Sequence, residues 1–232
     1  MMQIRKSQER GAADLGWLDS KHTFSFAEYH DPNHMGFGPL RVINEDRIAA
    51  TGGFPTHPHR DMEIISYVLE GQLEHKDNMG TGSIIRRGEI QKMSAGTGIQ
   101  HSEFNPSGDQ GNHFFQIWIL PDTQGLEPSY EQQDVPDVEV GGAMTCIGSK
   151  AGAKGGVTIH QDVDLYVLRL NEGAAETFEP APDRHIWVQV AFGTLSVNGE
   201  TLSAGDAAAL EGEASVLFEA GEDTEALVFD LG

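Results

Sequence analysis

Cysteine is nearly absent: the 232 residues include one, Cys146. A single thiol excludes an internal disulfide and a cysteine-based zinc site, and it points to a reducing, cytoplasmic setting. Long apolar runs are missing as well. No stretch approaches the ~18 consecutive apolar residues of a membrane span, and the opening MMQIRKSQERGAADLGWL lacks the apolar core of a secretory signal. Basic charge is scarce, with 15 Lys and Arg against 36 Asp and Glu and a formal net charge of −21. Direct binding to a nucleic-acid backbone, which needs clustered cations, is therefore not expected. The imbalance is concentrated, because residues 121–232 hold four basic and 21 acidic side chains. That half reads as a solvated acidic surface, with a face for a protein partner as the alternative. Helical patterning is scarce too. No long segment repeats apolar residues at i, i+3, i+4 and i+7 between caps.

Glycine, by contrast, is plentiful at 28 residues spread along the chain, as many tight turns between short strands require. β-Rich runs recur between turn residues: IISYVL before Glu70-Gly71, FFQIWIL before Pro121-Asp122 and HIWVQVAF before Gly193. Asn198-Gly199 inside TLSVNGETL is a strong hairpin signal. The expected fold class is all-β, an antiparallel sandwich or barrel. A weak internal repeat aligns Gly71 with Gly193 and Gly88 with Gly205. It predicts two β domains in tandem, residues 1–140 and 141–232, with the boundary in the Gly/Ala-rich stretch 141–156.

The chemistry concentrates in histidine. Eight of ten lie between residues 22 and 113. Thr56-His57-Pro58-His59 places two imidazoles at i and i+2, and His101-Ser102-Glu103 places an imidazole and a carboxylate at the same spacing. On a strand such pairs share a face. If the two strands are neighbours, four donors meet at one divalent first-row metal, and the set admits Fe(II), Mn(II), Ni(II), Cu(II) or Zn(II). Pro58 cannot donate a ladder bond, so its strand is expected to start or bulge there. The remaining histidines, His22, His30, His34, His75, His113, His160 and His185, read as satisfied or exposed side chains. Among them His113, which opens a strand, is the one to examine as a pocket wall.

These motifs resemble the two cupin motifs. More closely, RKSQERG, HTFSFAEYHDPNHMGFGPLRVIN, THPHRDMEIISYVLEGQLEHKDNMG and MSAGTGIQHSEFNP resemble the pirin family of bicupins, densely from about residue 5 to 130. The resemblance implies two tandem cupin barrels of jelly-roll type and one metal per chain in the first. The chain departs from the cupin pattern at Thr51, where glycine is usual, and at Ser94, where proline is usual. General cupins draw a carboxylate ligand from the first motif, here Glu63; pirins draw it from the second, here Glu103, which the pairing with His101 favours. In the second domain the ligand positions fall on Glu179, Ala181, Phe218 and Ala220, which offers no comparable set.

The resemblance further implies quercetin 2,3-dioxygenase activity: a small planar flavonol and O2 as substrates, Glu103 as the catalytic base and carbon monoxide as a product. Phe24, Phe26, Phe37, Phe54 and Phe114 are candidate walls for a planar ligand and equally candidate core. The alternative implied by eukaryotic pirins is a non-catalytic, metal-binding regulator acting through protein–protein contacts. A third reading keeps the chemistry and changes the substrate to another phenol or organic acid. Two packed cupin domains in one chain make a monomer sufficient.

Overall fold

The computed structural model describes residues 1–136 and 143–232. The described residues are almost wholly antiparallel β, with a 3-10 turn at Ser7–Glu9. In chain order the strands are β1 (Met2–Arg5), β2 (Gly11–Asp14), β3 (Leu18–His22), β4 (Leu40–Ile48), β5 (Gly53–His59) and β6 (Glu63–Glu70). Next come β7 (Gln72–Asp77), β8 (Gly82–Arg86), β9 (Glu89–Ser94), β10 (Ile99–Phe104), β11 (Asn112–Ile119) and β12 (Ser129–Asp134). They are followed by β13 (Ala143–Lys150), β14 (Val157–Ile159), β15 (Val163–Leu170), β16 (Ala175–Phe178) and β17 (His185–Phe192). The last are β18 (Thr194–Val197), β19 (Glu200–Ser203), β20 (Ala207–Glu211), β21 (Val216–Ala220) and β22 (Thr224–Leu231). Among the described residues no helix is long and apolar enough to cross a membrane.

Two compact units emerge. One comprises Gly11–Val135 with Val157–Gln161; the other comprises Met1–Arg10, Pro136–Gly156 and Asp162–Gly232. The boundary expected at 140/141 lies outside the described residues. The sequence reading gave residues 1–10 to the first domain, whereas the structure groups them with the later unit. The reason is local: β1 pairs with β20, Met2 opposite Leu210, and Asp206 accepts bonds from the Ser7 amide (2.7 Å) and Lys6 Nζ (2.9 Å).

The first unit is built from a sheet of order β12-β9-β6-β11-β4-β3-β2 and a smaller one of order β5-β10-β7-β8. Leu18, Ile48, Val68, Leu73, Ile85 and Phe114 form one buried cluster between strands of both sheets. Phe114, offered as a pocket wall, is thus core, and Phe24 is buried as well. Strands β3 and β7 alternate buried and more exposed positions, whereas β4, β6 and β11 are buried at almost every position.

The second unit repeats the plan, with one sheet containing β20-β17-β22-β15-β13 and another of order β16-β21-β18-β19. The Asn198-Gly199 hairpin is present between β18 and β19, with φ of 48° and 87°, the paired positive values that only such residues accept readily. The four repeat glycines behave alike: Gly71, Gly193, Gly88 and Gly205 all have positive φ, between 71° and 84°. Strand β17 departs from simple alternation. Gln189 is fully buried beside the apolar positions, and it is accommodated because its amide donates to the carbonyls of Gly205 and Asp206.

Candidate metal centre

Strand β10 is the middle of the site. It pairs with β5 on one side and β7 on the other, so that His101 lies opposite His57 and Asp77, and Glu103 opposite His75. Strand β5 carries one extra residue between Phe54 and His57 relative to β10. The bulge therefore falls at Pro55 and Thr56, not at Pro58. Pro58 is tolerated because β5 is the edge of its sheet. By adding that residue, the bulge sets His57 directly across from His101.

The outcome is a cluster of three imidazoles. The ring centroids of His57, His59 and His101 stand 4.5–4.9 Å apart, and one ring nitrogen from each lies within 4.8 Å of the others. Glu103 is outside that triple. It joins His101 and His75 in a second group of the same dimension. Its carboxylate accepts bonds at both oxygens from Gln116 Nε2 (3.0 and 2.9 Å) and at Oε1 from Ser66 Oγ (3.2 Å).

The histidines are prepared to offer lone pairs. Burial, then the neighbouring charges of His57 and His75, lowers His101 to about 3. Burial, then His101 and His57, lowers His59 to about 4. Both are neutral at pH 7, as ligation demands. His57 Nδ1 donates to the Pro55 carbonyl (2.9 Å), a partner that can only accept, which leaves Nε2 as the nitrogen available for ligation. His101 Nε2 is buried without a hydrogen-bond partner. A buried orphan lone pair beside two more imidazoles fits a borderline first-row cation, and the donor set is of the right type for one.

Glu63 takes no part in either cluster. Its Oε2 accepts bonds from Ser94 Oγ (3.0 Å) and the His160 amide (3.3 Å), and it lies 3.8 Å from the fully buried Lys92 ammonium. Lys92 in turn donates to Ser94 Oγ (2.8 Å) and reaches Glu131 at 3.2 Å. Ser94, the position where proline is usual, is thus the hub of a buried polar network. Thr51, the other departure, takes φ 63°, the left-handed region that favours glycine. The close approach falls instead at Gly53, which faces Phe104 across the β5–β10 ladder.

A cavity of about 380 Å³ opens on the three histidines. Phe26, Phe54 and Trp118 give it aromatic walls, with Trp118 edge-on to His59 at 4.9 Å and Phe26 edge-on to Trp118 at 5.4 Å. Ser20, Asn44, Asp46 and Gln116 supply polar lining. Of the proposed aromatic walls, Phe26 and Phe54 line it, whereas Phe24, Phe37 and Phe114 do not. His113 lines a separate open depression and holds Glu45 at 2.9 Å.

Sequence reasoning read His75 as a satisfied or exposed side chain, and it is buried and bonded to Asp77 and His101; it passed over Asn44, Asp46 and Gln116. His75 had a visible signal in Glu74-His75-Lys76-Asp77, another i, i+2 pair on a strand. The others are single polar residues within apolar runs, and nothing local marks them.

Two family models match the chain: one described as Pirin over residues 3–119, and one described as Quercetinase C-terminal cupin domain over residues 146–231. The chain belongs to the pirin family. Among pirin-family relatives, a protein of Escherichia coli named quercetin 2,3-dioxygenase is 47% identical over 231 residues, spanning 100% of this chain and 99% of that protein. The crystal structure of YhhW from Escherichia coli superimposes with a TM-score of 0.96 at 47% identity, covering 100% of this chain and 98% of that one. A structure described as bacterial pirin YhhW in complex with nickel(II) gives a TM-score of 0.95 at 46% identity, covering 100% and 99%.

Proposed function

We propose that this pirin-family protein is a metal-dependent quercetin 2,3-dioxygenase that opens the flavonol's central ring with O2 and releases carbon monoxide. The observation that carries it is the convergence of three imidazoles, with Glu103 beside one of them, at an aromatic-walled cavity. A full-length relative bearing that name supports the same reading.

His57, His59, His101 and Glu103 would hold the cation, Fe(II) foremost. When bound, it supplies Lewis-acid and redox chemistry by templating the two reactants and stabilising flavonolate charge. The chain's own residues do the rest. Glu103 accepts the flavonol's hydroxyl proton at a carboxylate oxygen, as a general base within a desolvated wall. Gln116 and Ser66 fix the plane of that carboxylate, so it is oriented before substrate arrives. Phe26, Phe54 and Trp118 offer flat apolar surface that excludes water and suits a planar polyphenol. A cavity of about 380 Å³ lies within the range of small-molecule sites.

The test loads the protein separately with Fe, Mn, Ni, Cu and Co, adds quercetin under air, and measures carbon monoxide and flavonol loss. At least one metal form is expected to release carbon monoxide, and His57→Ala with the same metal to lose at least 100-fold. If no metal form of the wild type releases any, the assignment is overturned.

A further inference from the structure

We propose that His75 and Asp77 are positioning residues that lock His101 in the tautomer whose Nε2 is free to bind the cation. The proposal rests on the reading of His57, His59 and His101 as metal ligands, but not on the identity of the substrate.

The argument follows the protons along one buried chain. Asp77 Oδ1 accepts the amides of Met79 (2.9 Å) and Thr81 (3.0 Å) across the β7–β8 turn. Those two bonds fix the carboxylate and leave Oδ2 turned to His75 Nε2 at 3.1 Å. Facing a carboxylate that can only accept, His75 Nε2 carries the hydrogen. With a single N–H on the ring, placed at Nε2 by Asp77, His75 Nδ1 would be an acceptor. The group opposite it is His101 Nδ1, at 3.4 Å, and this nitrogen must therefore be the donor. His101 Nε2 is then left bare, buried and without a partner.

Burial makes the chain rigid. His75 is 0% exposed and His101 1% exposed. The Tyr130 ring packs on His75 at 4.9 Å between centroids, and the Tyr130 hydroxyl is held by Ser83. Water cannot substitute for a lost acceptor in such a place without rearrangement. The same accounting argues against ligation by His75, although it lies within 4.8 Å of His101 and Glu103 in the second donor group. Both of its nitrogens are already committed, one to Asp77 and one to His101. Partners of this kind behind a ligating histidine set its ring orientation and basicity, and losing one typically costs 10–100-fold in metal affinity.

Two measurements decide it. In metal-free wild type labelled with ¹⁵N-histidine, two-bond ¹H–¹⁵N correlations are expected to show His101 protonated at Nδ1 with an unprotonated Nε2. A His101 found in the Nε2–H form overturns the proposal without any variant. Nickel affinity is then read by chelator competition for wild type, His75→Phe and His75→Asn. The phenylalanine variant is expected to bind 10–100-fold more weakly. The asparagine variant, whose amide oxygen can take the place of Nδ1, is expected to recover most of the loss. A folded His75→Phe that binds nickel within threefold of wild type sinks the idea. Absence of quercetin turnover leaves both readouts unaffected, so failure of the dioxygenase reading is separately visible. A wild type that takes up no nickel refutes the metal reading alone, and the nitrogen shifts still decide the tautomer.

Discussion

Gly53→Ala should damage the metal centre from outside it. A Cβ on Gly53 would stand 2.4 Å from Phe104 Cδ1, 2.5 Å from the Glu103 carbonyl oxygen and 2.6 Å from Phe104 Cα. Ordinary carbon contacts begin near 3.4 Å, so β5 and β10 must part by roughly 0.9 Å there. The phenylalanine ring can rotate away. The carbonyl oxygen and Cα cannot, because both belong to the β10 backbone. Gly53 is not among the residues with positive φ, so the effect is steric and does not come from backbone strain. The same ladder sets His57 opposite His101, four residues further along β5. Metal–ligand distances tolerate only about 0.2 Å, so part of that displacement is felt at the imidazoles. We expect a loss of 10–100-fold in nickel affinity, about 1.4–2.7 kcal/mol, and overpacking that costs about 1–3 kcal/mol of stability. Chelator competition and urea unfolding measure the two. Gly82→Ala is the control, since its Cβ would meet only Lys76 Cγ at 3.9 Å in the same sheet. Wild-type affinity and stability in Gly53→Ala would refute the geometric coupling between that crossing and the site.

Asp46 supplies a pH prediction. Burial, opposed by the Ser20 bond and reinforced by the charges of Glu103, Glu45 and Asp19, raises its carboxyl from 3.8 to about 7. A raised folded value means stability that is present below 3.8 and lost as pH climbs through about 7. Asp46→Asn removes that loss, so in metal-free protein the variant should gain on wild type by up to about 4 kcal/mol between pH 4 and pH 8. Urea unfolding at the two pH values checks it, and a flat difference would count against it. Lys92→Met strips the buried Glu63 of its cation and should cost about 3–5 kcal/mol, read from the unfolding midpoint, with Glu63→Gln in the same chain restoring part of the loss. Equal stability of wild type and Lys92→Met would mean that Ser94 and His160 satisfy Glu63 by themselves.

Much of this centre is local information. His57-Pro58-His59 and His101-Ser102-Glu103 announce strand-spaced donors, and Asn198-Gly199 announces its hairpin, because a two-residue period and a positive-φ turn are properties of a few consecutive residues. The all-β class was legible for the same reason. Other features are set across the sheet. Which carboxylate stands beside His101 depends on register: Glu103 shares β10 with His101 and is gripped by Gln116, whereas Glu63, of matching parity with His57 and His59, is drawn into the Ser94–Lys92–His160 network. The position of the bulge, at Pro55 and Thr56 and not at Pro58, likewise appears only once β5 is laid against β10.

The sequence by itself determined the inventory of donors, their pairing along each strand and the turns between strands. Tertiary structure alone decided which strands became neighbours, which faces met, and therefore that His75 stands behind His101 and that residues 1–10 group with the later unit. The physical reason is that hydrogen-bond partners in a sheet are chosen by pairing between segments far apart in the chain. No short run of residues encodes its neighbour.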